Sequence, residues 1–174
     1  MFYALILNTD GKGIGSHTYV EEPSTYPSNE VPCTQAQAQN PTLYQVVGGQ
    51  IVESLTAAQS AQIALLQSAF EKAEQAPVSV TLASGITTSF GMTPHDWTKI
   101  VGLYSKYVVK GDPIPSNYPL PDVNMVLRTV TKTDIDNLFE AGKSQIDNVV
   151  SKLASLLESV NTATTVEAVK SITW

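Results

Sequence analysis

Few residues of this chain are of types that do chemistry, and their spacing decides what they are for. Gly11-Lys12-Gly13-Ile14-Gly15 sets a lysine among glycines, a composition that lets backbone amides approach an anion closely. It matches neither standard phosphate pattern, because the dinucleotide spacing is absent and no Gly-Lys-Ser/Thr precedes a helix, so it reads as a hairpin turn. His17 and His95 are the only histidines, and neither stands at a metal-cage spacing from Cys, Asp or Glu. His95 beside Asp96 reads as a surface or capping pair. No serine occupies a Gly-x-Ser-x-Gly elbow, and Cys33, next to Pro32, has no nearby base. Asp134 and Asp136 stand two apart on an expected helix, point in different directions, and read as a solvated first turn. These residues predict no enzyme activity, no catalytic group, no metal and no cofactor.

The elements that carry them predict an α+β fold. Residues 1–54 read as a small β module: an apolar run at 2–8 and a second at 17–20 form one hairpin, and 43–47 with 50–53 form another around Gly48-Gly49. The proline-rich passage 23–41 between them reads as an extended loop. A connecting helix over 55–76 carries Ile63, Leu66, Phe70 and Ala73 at helical spacing and stops at Pro77. Residues 77–174 read as an α+β domain. Hairpin strands at 78–82 and 86–90 lead to a helix opened by Thr93-Pro94-His95-Asp96, whose buried face is Trp97, Ile100, Val101 and Tyr104. A proline loop over 111–122 follows. A strand at 123–130 is expected to pair with the hairpin 78–90.

A long helix over 133–160, with Thr131 or Thr133 as cap, and a short terminal helix complete the domain. Gly142 inside the long helix predicts a bend or a close helix crossing, since glycine there costs about 1 kcal/mol relative to alanine. The apolar stripe of that helix, including Ile146, Val149, Val150, Leu153, Leu156, Leu157 and Val160, faces either the chain's own strands or other copies in a bundle. With Trp174, Tyr26 and Tyr118 these are the candidate interface residues, because Tyr and Trp join apolar area to a polar handle. The two proline-rich loops are candidate interfaces as well.

Composition narrows the partners. A net charge of −6 and only 15% charged residues oppose binding to nucleic acid or an anionic membrane. The single cysteine excludes an internal disulfide, so packing must supply stability. Met1–Asn8 lacks the basic flank and apolar length of a secretion signal, and no segment nears the roughly 20 apolar residues of a membrane span, so a soluble protein made in the cytoplasm is expected.

The span 69–174 resembles an uncharacterised domain of bacteriophage and prophage tail-region proteins. The resemblance rests on Ala76-Pro77-Val78 closing a helix, a hairpin ending at Phe90, Trp97, the long helix, and Thr164-Thr165-Val166-Glu167-Ala168-Val169 running to Ile172 and Trp174. Where such proteins often carry an aromatic-rich strand before the long helix, this chain has Val123-Asn-Met-Val-Leu-Arg-Thr. The layout of a β module followed by helices is also similar to tail-fibre assembly chaperones. The resemblance implies a structural protein in the virion tail, made in the host bacterium: an adaptor joining a fibre or spike to the tail or baseplate, with other tail proteins and copies of itself as partners. A fibre-assembly chaperone and a host-surface binding module are the alternatives. No activity is established for such domains, so no catalytic residue carries over.

Overall fold

Ala4 and Leu5, neighbours in sequence, are both fully buried, so strand β1 (Phe2–Leu7) is covered on both faces. The computed structural model describes residues 1–116 and 118–174. β1 is the centre of a three-stranded antiparallel sheet, between β2 (Gly13–Tyr19) and β3 (Glu30–Cys33). On its Leu5 face the Ser16 hydroxyl donates to the Ala38 carbonyl at 2.7 Å, which seats helix α1 (Gln35–Gln39). Thr34 and Gln37 close that helix with a reciprocal capping box. β4 (Tyr44–Val47) and β5 (Gln50–Glu53) form the second hairpin, reversing at Gly48-Gly49. The buried Ser54 then accepts the Ala57 amide and opens α2 (Leu55–Glu74), whose inward residues Ala58, Gln62 and Leu66 recur every four.

The chain divides into two compact units, residues 1–66 with 156–173 and residues 67–155 with 174. Divisions at 54 and 76 are contiguous, whereas these units are not. The end of the long helix and α5 (Val166–Ser171) count with the N-terminal β module. Side chains of α2 and β5 account for this: Gln59 Nε2 donates to the Val160 carbonyl at 3.0 Å, Gln62 Nε2 donates to the Ile172 carbonyl, and the Lys170 ammonium pairs with Glu53.

The second unit is built twice from one pattern. Hairpin β6 (Val78–Thr81) with β7 (Thr87–Phe90) precedes α3 (Pro94–Leu103), and hairpin β8 (Tyr118–Pro121) with β9 (Leu127–Val130) precedes α4 (Lys132–Thr162). Both hairpins join four-residue strands in the same register, Val78↔Phe90 in one and Tyr118↔Val130 in the other. In both, the first turn residue donates its amide to the last one's carbonyl, Leu82 to Ile86 at 2.9 Å and Asp122 to Val126 at 3.0 Å. In both, the fourth turn residue has positive φ, Gly85 at 82° and Met125 at 60°. A Thr-x-x-Asp cap starts both helices, Thr93 with Asp96 and Thr131 with Asp134. The inward side chains Val78, Val80, Phe90, Leu120 and Val130 form one core with Met92, Ile100, Leu103, Ile135 and Leu138.

The structure corrects several expectations. The passage 23–41 holds β3 and α1 as well as loop, because Pro32 is accommodated on an edge strand. The strand after the second proline segment is Leu127–Val130, and it pairs with Tyr118–Pro121 rather than with 78–90. Pro119 and Pro121 are tolerated because they alternate with the ladder-bonded positions, as the Asp122 amide bond shows, which leaves their donor-less nitrogens on the free edge. Asp134 is buried, not solvated: its carboxylate accepts the Ala83 amide at 2.6 Å, the Thr131 amide at 2.8 Å and the Thr131 hydroxyl at 2.7 Å.

α4 runs unbroken for 31 residues, about 46 Å at about 1.5 Å per residue. Gly142 marks a close approach rather than a bend. A Cβ there would lie 2.5 Å from Trp97 Cζ3 and 2.7 Å from Met92 Cε. Trp97 and Tyr104 both stack nearly parallel to Phe139 of α4, with ring centroids 5.5 and 3.8 Å apart. A π-helical extension, Tyr104–Val109, ends α3 and turns Tyr107 into the core, edge-on to Tyr118 at 5.8 Å.

Candidate interaction surface

The turn of the second hairpin is the most exposed apolar element of its unit. Val123, Met125, Val126 and Leu127 are 44, 80, 44 and 67% exposed, and no charged side chain lies among them. Its base, by contrast, is fixed. The Asp122 side chain is fully buried and accepts from Arg128 Nε at 2.9 Å, from the Thr88 hydroxyl at 2.9 Å, and from the amides of Asn124 and Val126. Burial alone would raise the pKa of this carboxyl, but the Val126 amide, the Arg128 guanidinium, the Thr88 hydroxyl and the Asn124 amide together lower it to about 2. The Val123 amide adds a bond to the Ser89 carbonyl at 3.0 Å. A rigid polar base thus presents a short apolar tip.

Met125 sharpens this reading. A bulky residue at φ 60° is unfavourable by about 1–2 kcal/mol relative to the right-handed region, and the equivalent position in the first hairpin is glycine. Its side chain meets little of the chain's own fold to offset that cost.

The sequence-derived interface residues have varied placements. Val160 is fully buried in the first unit, so this position is corrected from interface to core, a consequence of α2 closing over it. Ile146 packs on the core of the second unit. Val149, Leu153, Leu156 and Leu157 are half-buried, and of the stripe from Ile146 to Val160 only Val150 is exposed. Trp174 packs edge-on to Phe70 at 6.5 Å beneath the Lys152 ammonium. Tyr26 lies edge-on to Tyr19 at 5.7 Å, and Tyr118 faces Tyr107. The sequence assigns 123–126 to a strand, whereas these residues form the exposed turn before β9, and the only signal for it was an apolar run beside a proline segment.

A second cluster, also unforeseen, lies on the Ala4 face of the first sheet. Glu30 of β3 reaches across β1 above the small Ala4 and accepts from Tyr19 Oη at 2.5 Å, with His17 Nδ1 at 2.7 Å from its other oxygen, both residues on β2. The bond to Glu30, then burial, then the Glu30 charge push the Tyr19 phenol up to about 12. His17 and Tyr19 share a strand face by their spacing of two, but only the sheet order brings Glu30 to them. Gly11–Gly15 is the reversal into β2, with Lys12 exposed. His95 is exposed and Asp96 pairs with Thr93. Burial raises the pKa of the half-buried Cys33 thiol, away from nucleophilic reactivity.

Among the described residues no group of three or more His, Cys, Asp or Glu side chains is placed to hold a metal ion, and no helix is long and apolar enough to cross a membrane. No family model, no curated protein and no solved structure matches the chain.

Proposed function

We propose that this chain is a non-enzymatic assembly component of a bacteriophage tail, an adaptor that joins a fibre or spike to the tail or baseplate, and that the β8–β9 turn is its docking element. The sequence resemblance over 69–174 supports the tail assignment. The observation that carries the docking role is the exposed Val123, Met125, Val126 and Leu127 on a buried, hydrogen-bonded base. A contiguous apolar tip of this kind favours burial against another protein, and holding it rigidly lowers the entropy lost on docking.

Quantitative mass spectrometry of purified particles against infected-cell lysate tests the reading. An adaptor occurs at a fixed, small copy number in particles, and Leu127→Ser reduces its incorporation while the purified variant stays folded. Presence in the lysate alone overturns the adaptor assignment in favour of an assembly helper. Undiminished incorporation of Leu127→Ser removes the docking role from the hairpin.

A further inference from the structure

A cleft of about 240 Å³ opens in the second unit between the end of α2, the first turns of α3 and the middle of α4. Met92, Pro94 and Ile146 line it with apolar side chains, and Glu74, Gln75, Trp97 and Thr98 with side chains that carry polar groups. Each wall is held in place. Gln145 of α4 donates to the carbonyls of Ala73 and Ala76 at 3.2 and 2.6 Å, fixing the C-terminus of α2 that carries Glu74. The Trp97 ring is clamped against Phe139, with Cζ3 turned toward Gly142. Cζ3 lies across the six-membered ring from the carbon bonded to Nε1, so the N–H edge of the indole is directed away from α4.

The polar groups of this cleft are uncommitted. Among the described residues, the Glu74 carboxylate has no ion pair, and neither the Gln75 carboxamide nor the Trp97 N–H has a hydrogen-bond partner. Thr98 donates its hydroxyl to the Pro94 carbonyl and keeps its acceptor capacity. Glu74 also stands in the last turn of α2, where the helix dipole disfavours a negative charge. The side chain therefore does not serve the helix.

We infer that this cleft binds a neutral pyranose sugar. The lining residues include an acceptor-only carboxylate, a donor-only indole and a carboxamide that does both, so a ligand whose groups both donate and accept is the one that satisfies all of them. Hydroxyls do this. An ammonium or guanidinium has no acceptor for the indole, and an anion meets Glu74 with no cation among the lining residues. The apolar lining residues and the indole edge suit the C–H face of a sugar ring, in the way that small-molecule sites combine an apolar lining with a few placed polar groups. The inference stands apart from the docking role of the hairpin.

The test is a nitrogen-15 correlation spectrum of the full chain, titrated separately with glucose, galactose, N-acetylglucosamine and arginine methyl ester. A Trp174→Phe variant assigns the two indole signals. A saturable shift of the Trp97 indole and Gln75 carboxamide with a sugar, at the millimolar affinity expected of so small a ligand, is the predicted result. Glu74→Ala, which relieves an unfavourable charge at a helix end and so keeps the fold, weakens that binding by roughly tenfold or more. Absence of saturable shifts with all three sugars overturns the proposal, as does an unchanged affinity in Glu74→Ala. A response to arginine methyl ester alone reassigns the cleft to a cationic side chain.

Discussion

Met125 occupies the hairpin position that Gly85 occupies forty residues earlier, and both hold the left-handed conformation, φ 60° and 82°. The two turns close with the same hydrogen bonds, so the backbone there is set by turn geometry rather than by the residue in it. A glycine suits that geometry and a methionine opposes it.

Met125→Gly is therefore expected to stabilise the isolated chain by up to about 1 kcal/mol, the relief of the left-handed strain less the added freedom of the unfolded chain. Urea denaturation reads it as a higher midpoint at unchanged slope. A lower midpoint would mean that the methionine side chain packs on its own fold, which its 80% exposure argues against.

Gly142→Ala and Gly102→Ala should move stability in opposite directions. An alanine Cβ at 142 meets the clamped ring of Trp97 at 2.5 Å, and overpacking of this kind costs about 1–3 kcal/mol. At Gly102, also helical, a Cβ meets nothing within 4 Å, so the gain in helix propensity of about 1 kcal/mol is realised. Thermal unfolding of the two variants beside the parent checks the signs.

Asp122 gives the acid limb of stability a recognisable component. Its pKa falls from 3.8 unfolded to about 2 folded, so its contribution is complete above pH 3.8 and disappears as pH drops through about 2. Asp122→Asn lacks that component. Its stability at neutral pH is lower, and it declines less steeply than the parent below pH 3.8. Parallel curves for the two proteins would contradict the buried network.

Tyr19 acts at the other extreme. Its folded pKa is raised from 10.0 to about 12, so the contribution is present below pH 10 and is lost as pH rises through about 12. Absorbance titration of phenolate should show a late ionisation that Tyr19→Phe removes.

Leu138, 2% exposed between the two hairpins and α3, is a direct probe of the doubled core. Leu138→Ala should cost about 2–5 kcal/mol, measured by denaturant unfolding. A cost near that of a surface substitution would place the core elsewhere.

By itself the sequence determined what local chemistry controls. The α+β class, the connecting helix, the long helix and the short terminal one follow from apolar period, and the start of α3 follows from Thr93, Pro94 and Asp96, because caps and periodicity act within a few residues. Partnership between distant segments was decided only in three dimensions. The proline-bearing strand Tyr118–Pro121 is legible once its partner Leu127–Val130 is known, since only pairing tells which nitrogens face a free edge. Asp134 reads as solvated from its neighbours in sequence, and only the fold brings the Ala83 amide, 51 residues away, to its carboxylate. The repeat of the two hairpins is carried by register and φ, with Leu82 equivalent to Asp122 and Gly85 to Met125, and the residue types differ so much that the residue string does not display it. Exposure of the apolar tip is likewise a tertiary fact: Val123–Leu127 and the buried Val78–Leu82 are both apolar-rich, and which one water reaches depends on what packs over each.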